Sequence, residues 1–207
     1  MEVWRYAVAV LLGYLLGAVP SGLLVGKLVK GVDLRDFGSG KTGATNALRT
    51  LGTVPAVLVI ALDLLKGLVA ILIAQALTHA VAAECLAGLA AAIGHNWPVY
   101  AGFRGGRGVL VSYGIFWVLC WPAALASSAI GMVIIAVSRF VSLGVLVGAV
   151  IGTAAAIPLV LTGHFSPWVL LYAALGAALI VVRHRDNIER LRAGTERKLG
   201  QPAQPVA

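Results

Sequence analysis

Charged side chains are scarce in this sequence. Only 12% of its 207 residues are charged, whereas 60% are apolar, and the mean hydropathy is +0.95. Soluble domains carry charge on about a quarter of their residues. A water-soluble fold, a disordered chain and a coiled coil are therefore excluded, and we expect an all-α helix bundle that crosses a membrane several times.

Cysteine is also scarce, since the chain contains only Cys85 and Cys120. Both lie inside apolar runs, which indicates buried thiols and excludes a disulfide scaffold. Neither belongs to a spacing that is typical of a metal site, and no metal or other cofactor is expected. No small-residue cleavage site follows the first apolar run, so we interpret that run as a retained span.

Five apolar runs are candidate membrane spans: residues 4–25, 53–77, 80–94, 141–162 and 167–182. A further stretch, residues 109–137, contains 29 residues and no charge. As one helix it would be about 43 Å long, too long for about 30 Å of hydrocarbon without a steep tilt. A split at Cys120-Trp121-Pro122 gives two short helices and seven spans in all.

The positions of the basic residues favour seven spans. With seven, fourteen of the 16 Lys and Arg residues fall on one side of the membrane, and the opposite loops contain none. Because Lys and Arg concentrate in cytoplasmic loops, the N-terminus is predicted outside and the C-terminus in the cytoplasm. The same distribution accounts for the net charge of +8 without a nucleic-acid partner. Residues 1–200 are predicted to form one domain and residues 201–207 a disordered tail.

Three polar segments on the predicted cytoplasmic side carry the candidate chemistry. The first contains Gly40-Lys41-Thr42, a fragment of a nucleotide-binding P-loop, but Arg35 stands where that motif needs its first glycine. What remains is a glycine turn, Gly38 to Gly43, whose N–H groups can converge on an anion. Arg49 adds a planar guanidinium that can donate hydrogen bonds to a phosphate. A flexible turn with solvated charges is the alternative. Neutral hydrogen-bonding groups come from Ser39, Thr45 and Asn46.

The second segment is Gly105-Gly106-Arg107-Gly108, directly before the apolar run that begins at Val109. A glycine-rich turn that enters a helix presents free N–H groups and the positive end of the helix dipole, which bind phosphate. Arg104 and Arg107 reinforce this positive potential. In the alternative interpretation the basic residues only fix the cytoplasmic end of the span. That role requires arginines but does not explain three glycines.

The third segment follows the last span. His184 and Asn187 share a helical face with Arg183, and His95 ends the third span at the same side of the membrane. Each histidine is either functional or a hydrogen-bonded structural residue. Glu196 is interpreted as structural. The remaining polar pair, Asp63 and Lys66, lies inside the second span, where a mutual ion pair is expected and a proton or ion pathway is the alternative.

These segments resemble the three motifs of the bacterial acyl-phosphate:glycerol-3-phosphate acyltransferases. The resemblance implies transfer of a fatty acyl group from acyl phosphate to the 1-hydroxyl of glycerol 3-phosphate, giving lysophosphatidic acid and phosphate. It also implies a bacterial cell membrane, an active site that faces the cytoplasm and a soluble enzyme that makes the acyl phosphate. The matching residues are Gly38-Ser39-Gly40-x-x-Gly43-Ala44-Thr45-Asn46-x-x-Arg49, His95-x-x-Pro98 with Phe103-Arg104-Gly105-Gly106-Arg107-Gly108, and Arg183-His184-Arg185-x-Asn187 through Gly194-Thr195-Glu196.

Matched motif by motif, the resemblance implies roles for individual residues. The implied catalytic residues are Ser39, Arg49, His184 and Asn187. The implied substrate-binding residues are Gly38, Gly40, Thr45, Asn46, His95, Arg104, Gly105, Gly106, Arg107, Gly108 and Arg183. Asp63, Lys66 and Glu196 are interpreted as structural from the residues themselves. The chain departs from the family at Lys41, where Asn is usual, and at Arg104 and Arg107, where lysines are usual and arginine keeps the charge.

Two observations bear on the identity of the acyl donor and on a transporter as an alternative function. No histidine is followed five residues later by Asp, as in many acyl-CoA-dependent acyltransferases, which favours acyl phosphate as the donor. A secondary transporter for a phosphorylated anion is also compatible with basic loops and an intramembrane ion pair. The binding site of such a transporter is expected near the bilayer midplane. Here the groups that can donate hydrogen bonds to an anion are predicted at the cytoplasmic rim of the membrane.

Overall fold

The structure is a computed structural model that describes residues 3–204 of the chain. In this part regular structure consists of ten α-helices and two short 3₁₀ turns, with no strand. The all-α expectation is therefore confirmed. In chain order the helices are α1 (Val3–Gly17), α2 (Ser21–Lys30), α3 (Ala44–Leu51), α4 (Thr53–Thr78), α5 (Val81–Asn96), α6 (Val109–Leu119), α7 (Trp121–Ser138), α8 (Val141–Leu161), α9 (Pro167–Arg183) and α10 (Arg185–Arg192).

Four segments are long and apolar enough to cross a membrane, namely the α1–α2 pair, α4, α7 and α8. Helix α9 makes a fifth when it is taken with α10, to which it is bent by 61°. The break between α6 and α7 falls at Cys120, as predicted, and Pro122 fits in the first turn of α7, where no backbone donor is needed. The count of seven spans and the orientation of the termini stay predictions.

The first apolar run differs from the prediction of one continuous helix over residues 4–25. Helix α1 ends at Gly17 and α2 begins at Ser21, because Pro20 lacks an N–H and its ring disfavours a helical conformation at the preceding residue. The carbonyl of Val19 accepts a hydrogen bond from Lys66 Nζ at 3.0 Å. A buried charge on α4 thus stabilises the break.

Glycines bring the helix backbones close together. A methyl group on Gly13 or Gly17 of α1 would overlap the backbone of α5, and one on Gly131 or Gly144 would overlap the opposite backbone where α7 packs against α8. Helices in lipid gain little from burying apolar surface against each other, so they associate through such close van der Waals packing.

The basic loops gather at one end of the bundle, which we call the basic end. Arg107 pairs with Asp186 of α10 at 2.7 Å. Arg49 donates to the carbonyl of Arg197 at 3.3 Å, and Arg139 donates to that of Leu199 at 2.8 Å. Segments that are far apart in the sequence therefore meet at one place.

Candidate active site

Asn46 organises the first loop. Its side-chain nitrogen lies within hydrogen-bond distance of the carbonyl oxygens of Leu34 (2.8 Å), Phe37 (3.0 Å) and Lys41 (2.8 Å). Its oxygen accepts the N–H of Ser39 at 3.2 Å. This buried amide thus holds the backbone of its own loop, and the predicted contact between Asn46 and substrate stays a prediction.

The turn over Gly38 and Gly40 has φ angles of 60° and 65°, a left-handed conformation that glycine adopts without strain. It places Ser39 and Lys41 at a cavity wall. The N–H of Gly38 donates to the carbonyl of Gln204 at 2.7 Å, so the chain beyond Glu196 lies against this turn. The predicted disorder of residues 201–207 stays a prediction, and residues 205–207 lie outside the described part.

The second loop packs against the ring of His95. The N–H of Gly106 donates to the carbonyl of His95 at 3.1 Å, and a methyl group on Gly106 would overlap His95 Nε2. Gly108, with φ of 73°, is the residue that caps the N-terminus of α6. The first turn of α6 therefore begins at the cavity, and the phosphate site at this turn stays a prediction.

Arg104 is the member of the second loop that the structure does not bring to the cavity. It is exposed, and its N–H donates to the carbonyl of Ala101 at 3.3 Å. The turn at Gly102 and Phe103, both with positive φ, directs Arg104 outwards, and the next residue, Gly105, lies against the backbone carbonyl of His95. Arg104 therefore lies at the surface, and its predicted contact with substrate stays a prediction.

Arg183 and Arg107 join the second segment to the third. Arg183 donates to the carbonyl of Gly106 at 2.8 Å and stacks over the Trp97 ring with its guanidinium carbon 4.8 Å from the ring centre. His184 is buried, and its Nδ1 lies 2.8 Å from the carbonyl of Ile180. Because a carbonyl only accepts, Nδ1 carries the proton and Nε2 of the neutral ring keeps its lone pair.

Glu196 connects the tail to the bundle. Its carboxylate accepts hydrogen bonds from Ser142 Oγ (2.7 Å), Asn187 Nδ2 (2.6 Å) and Arg190 Nε (2.8 Å). Burial alone would raise the pKa of Glu196, but these three hydrogen bonds outweigh it and hold the pKa below its ordinary value. The oxygen of the Asn187 amide is buried and has no partner within the described residues.

The three segments surround a cavity of about 660 Å³. Burial lowers the pKa of both Lys41 and Arg49, and neighbouring cations lower them further, Arg183 acting on Lys41 and Arg197 on Arg49. Such mutual repulsion favours an anion between the cations. The polar wall includes Ser39, Lys41, Thr45, Arg49, His95, Arg107, Gly108, His184, Asn187 and Glu196.

The cavity continues into an apolar groove between α4, α6 and α7. Its walls include Ile60, Leu64, Tyr113 and Ile135, together with Val57, Trp117 and Met132. The last three are 56%, 40% and 68% exposed on the outside of the bundle. The groove therefore opens sideways, towards the region that hydrocarbon chains occupy in a membrane.

Most of the predicted site residues meet at this cavity. The exceptions other than Arg104 are Gly38, Gly40, Gly105, Gly106 and Arg183, which shape the loops behind its wall, and Lys66, which lies inside the bundle. The polar residues that were not predicted include Lys41 in the wall, Ser142 beside Glu196 and Asp186 beside Arg107. Asp186 had a sequence indication, since it lies four residues before Arg190 on one helical face.

The fold and the cavity define an integral-membrane protein with a cationic cavity at the end of an apolar groove. The family model for glycerol-3-phosphate acyltransferase matches residues 7–194. The chain belongs to the glycerol-3-phosphate acyltransferase family.

Relatives and solved structures agree with this assignment. The chain is 47% identical over 195 residues to a glycerol-3-phosphate acyltransferase of Parasynechococcus marenigrum, covering 93% of this chain and 89% of that protein. It is also 47% identical over 195 residues to one of Gloeobacter violaceus, covering 92% and 93% of the two chains. The crystal structure of PlsY, an integral membrane glycerol 3-phosphate acyltransferase, in its glycerol 3-phosphate form superposes with a TM-score of 0.85 at 38% identity, covering 94% of this chain and 96% of that one.

Proposed function

We propose that this protein transfers a fatty acyl group from acyl phosphate to the 1-hydroxyl of glycerol 3-phosphate, releasing lysophosphatidic acid and inorganic phosphate. Family membership supports the acyltransferase activity and glycerol 3-phosphate as acceptor. The observation that carries the choice of donor is a buried cationic cavity joined to an apolar groove. An acyl phosphate has both parts, a charged head and a long apolar chain.

The two phosphate groups are assigned to different cations. Arg49, half-buried in the wall, binds the phosphate of glycerol 3-phosphate through its two-pronged guanidinium. Arg107 and the first turn of α6 bind the phosphoryl group of the donor. The acyl chain lies in the groove beyond Tyr113. Ser39 and Thr45 supply hydroxyl groups between the two phosphates.

Acyl phosphate is already activated, so positioning and charge stabilisation supply most of the catalysis. The 1-hydroxyl oxygen attacks the acyl carbon, the bond from that carbon to the phosphate oxygen breaks, and the departing phosphate takes the hydroxyl proton. His184 Nε2 accepts the hydrogen bond of the attacking hydroxyl, orients it and relays its proton to the departing phosphate. The unpartnered Asn187 oxygen accepts from a second substrate hydroxyl.

The location of the reaction is also part of the proposal. The chain crosses a bacterial cell membrane seven times, with the basic end in the cytoplasm. The concentration of Lys and Arg at that end supports this orientation. A soluble enzyme that forms acyl phosphate supplies the donor from the same compartment.

The test is a donor comparison on the purified protein in lipid nanodiscs. With labelled glycerol 3-phosphate, acyl phosphate is expected to give lysophosphatidic acid and phosphate in equal amounts, and acyl-CoA is expected to give neither. Omitting glycerol 3-phosphate should abolish phosphate release. Equal product from acyl-CoA would overturn the donor assignment, and transport into sealed vesicles without product would support the transporter instead.

A further inference from the structure

Three polar residues form a chain inside the bundle, between α4 and α5. The side chains of Asp63, Lys66 and His95 are only 3%, 7% and 7% exposed. The Lys66 ammonium has three N–H groups and three acceptors: the Val19 carbonyl at 3.0 Å, Asp63 Oδ1 at 2.9 Å and His95 Nδ1 at 2.8 Å. Every proton of the ammonium is therefore used.

This arrangement determines where the proton of His95 lies. An ammonium group has no lone pair, so His95 Nδ1 must accept, and the neutral ring then carries its proton on Nε2. Asp63 Oδ1 lies 3.6 Å from Nδ1, too far for a hydrogen bond. Asp63 instead neutralises Lys66 and accepts from Ser21 Oγ at 3.0 Å, which anchors the carboxylate.

The Nε2 side of His95 faces the glycine-rich loop. Gly106 lies directly against Nε2, and the His95 ring is part of the cavity wall beside Arg107. Within the described residues Nε2 has no hydrogen-bond acceptor. The ring therefore offers an unused N–H at the place where the loop enters α6.

We propose that Lys66, anchored by Asp63, is a positioning residue that holds His95 as an Nε2–H donor, and that this N–H binds a phosphoryl oxygen of the acyl phosphate. The inference rests on the proposed function for the identity of that substrate. It gives the intramembrane ion pair a part in donor binding, beyond holding α1, α2 and α4 together.

Two substitutions at His95 distinguish the role of Nδ1 from that of Nε2. Asn at this position keeps an acceptor for Lys66 but has no atom at the Nε2 position, whereas Gln reaches that position with an amide N–H. We expect His95→Asn to raise the KM for acyl phosphate about 10- to 100-fold, the range for a hydrogen bond to a charged group, with the KM for glycerol 3-phosphate unchanged. His95→Gln should recover part of the loss. The matched control is His164→Asn, at an exposed histidine between α8 and α9, which should behave as the parent protein does.

The tautomer is measured independently of activity. In the full chain, labelled with ¹⁵N-histidine in nanodiscs, the signals that disappear in His95→Asn should show the Nε2–H form and shift when inorganic phosphate is added. Lys66→Met alone would leave a buried carboxylate unpaired, so Lys66 is tested with the charge-neutral pair Asp63→Asn/Lys66→Met. This variant should lose the fixed tautomer and raise the KM for acyl phosphate as His95→Asn does.

Three outcomes would overturn the inference: an Nδ1–H tautomer in the parent protein, a folded His95→Asn variant with the parent KM for acyl phosphate, or a double variant that keeps both the tautomer and the KM. Absence of any transfer from acyl phosphate in the parent protein would instead overturn the proposed function, and the tautomer measurement would still stand.

Discussion

At the scale of single residues, Arg49 is the strongest candidate for binding glycerol 3-phosphate. Its guanidinium is half-buried, and its Nε has no partner within the described residues. Removing a two-pronged charged donor costs about 1.5–3 kcal/mol per hydrogen bond. We therefore expect Arg49→Ala to cripple turnover at every attainable glycerol 3-phosphate concentration, by about 100-fold or more. Phosphate release measures the loss, with the exposed Arg192→Ala as control. Unchanged kinetics in a correctly inserted Arg49→Ala protein would remove Arg49 from the site.

Gly106 is expected to be important for binding acyl phosphate because it lies against the ring of His95. A methyl group there would overlap His95 Nε2, whereas one on Gly176 of α9 would meet nothing within 4 Å. Gly106→Ala should raise the KM for acyl phosphate about tenfold or more while the KM for glycerol 3-phosphate stays unchanged. Gly176→Ala, which adds the same methyl group, should leave both constants unchanged. The assignment fails if both alanine variants behave alike.

A substitution at Arg107 shows whether the site requires only a positive charge or also the planar geometry of the guanidinium. Its guanidinium pairs with Asp186 at 2.7 Å, and a lysine at this position keeps the positive charge but not the planar fork. We expect Arg107→Lys to retain at least about a tenth of the activity, because a single ammonium can still bind a phosphoryl group as a point charge. Complete loss in the steady-state assay would mean that the guanidinium geometry itself is required.

At the scale of elements, Glu196 joins the tail to α8 and α10. Glu196→Gln should lower the stability of the folded protein by about 1.5–3 kcal/mol, because it weakens hydrogen bonds to a charged acceptor. Thermal unfolding in nanodiscs measures this change, and Glu189→Gln on the exposed face of α10 is the control. Equal melting temperatures for the two variants would contradict a structural role for Glu196.

The Glu196 carboxylate also predicts how the stability of the folded protein changes at acid pH. The pKa of Glu196 is lower in the folded protein than its ordinary value of 4.5, so folding favours its ionised form. This stabilisation is complete above pH 4.5 and is lost as the pH falls from there through the folded-state pKa. Unfolding measured against pH should therefore show an acid-labile component that Glu196→Gln removes, and an identical acid profile in that variant would exclude Glu196 as its source.

Elements also show what the sequence could and could not predict. The break at Cys120 was predictable, because a charge-free stretch longer than the bilayer must be divided. The break before Ser21 was missed because hydropathy is continuous across it, although Pro20 was a visible indication. The side-chain directions of Asn46 and Arg104 could not be predicted for a different reason. A motif names the residues of a loop, but whether a side chain turns into the loop, into the cavity or into solvent depends on the φ angles of its neighbours.

At the scale of the whole molecule, the charge distribution predicts which face of the membrane each end occupies. In intact cells a membrane-impermeant maleimide should label His164→Cys, and should label Ser39→Cys and Arg185→Cys, at an exposed position next to the third segment's buried Asn187, only after permeabilisation. The two natural cysteines are 1% and 0% exposed, so the background should be low. Labelling of positions 39 and 185 from opposite faces would contradict a shared active site.

The groove that opens between α4, α6 and α7 has a consequence for how the protein encounters its donor. A long-chain anion reaches such an opening by lateral diffusion in the leaflet, so the quantity that sets saturation is its mole fraction among the lipids and not its molarity in the buffer. Diluting the membrane with inert lipid at constant bulk donor should then slow turnover, while the response to the water-soluble acceptor stays the same.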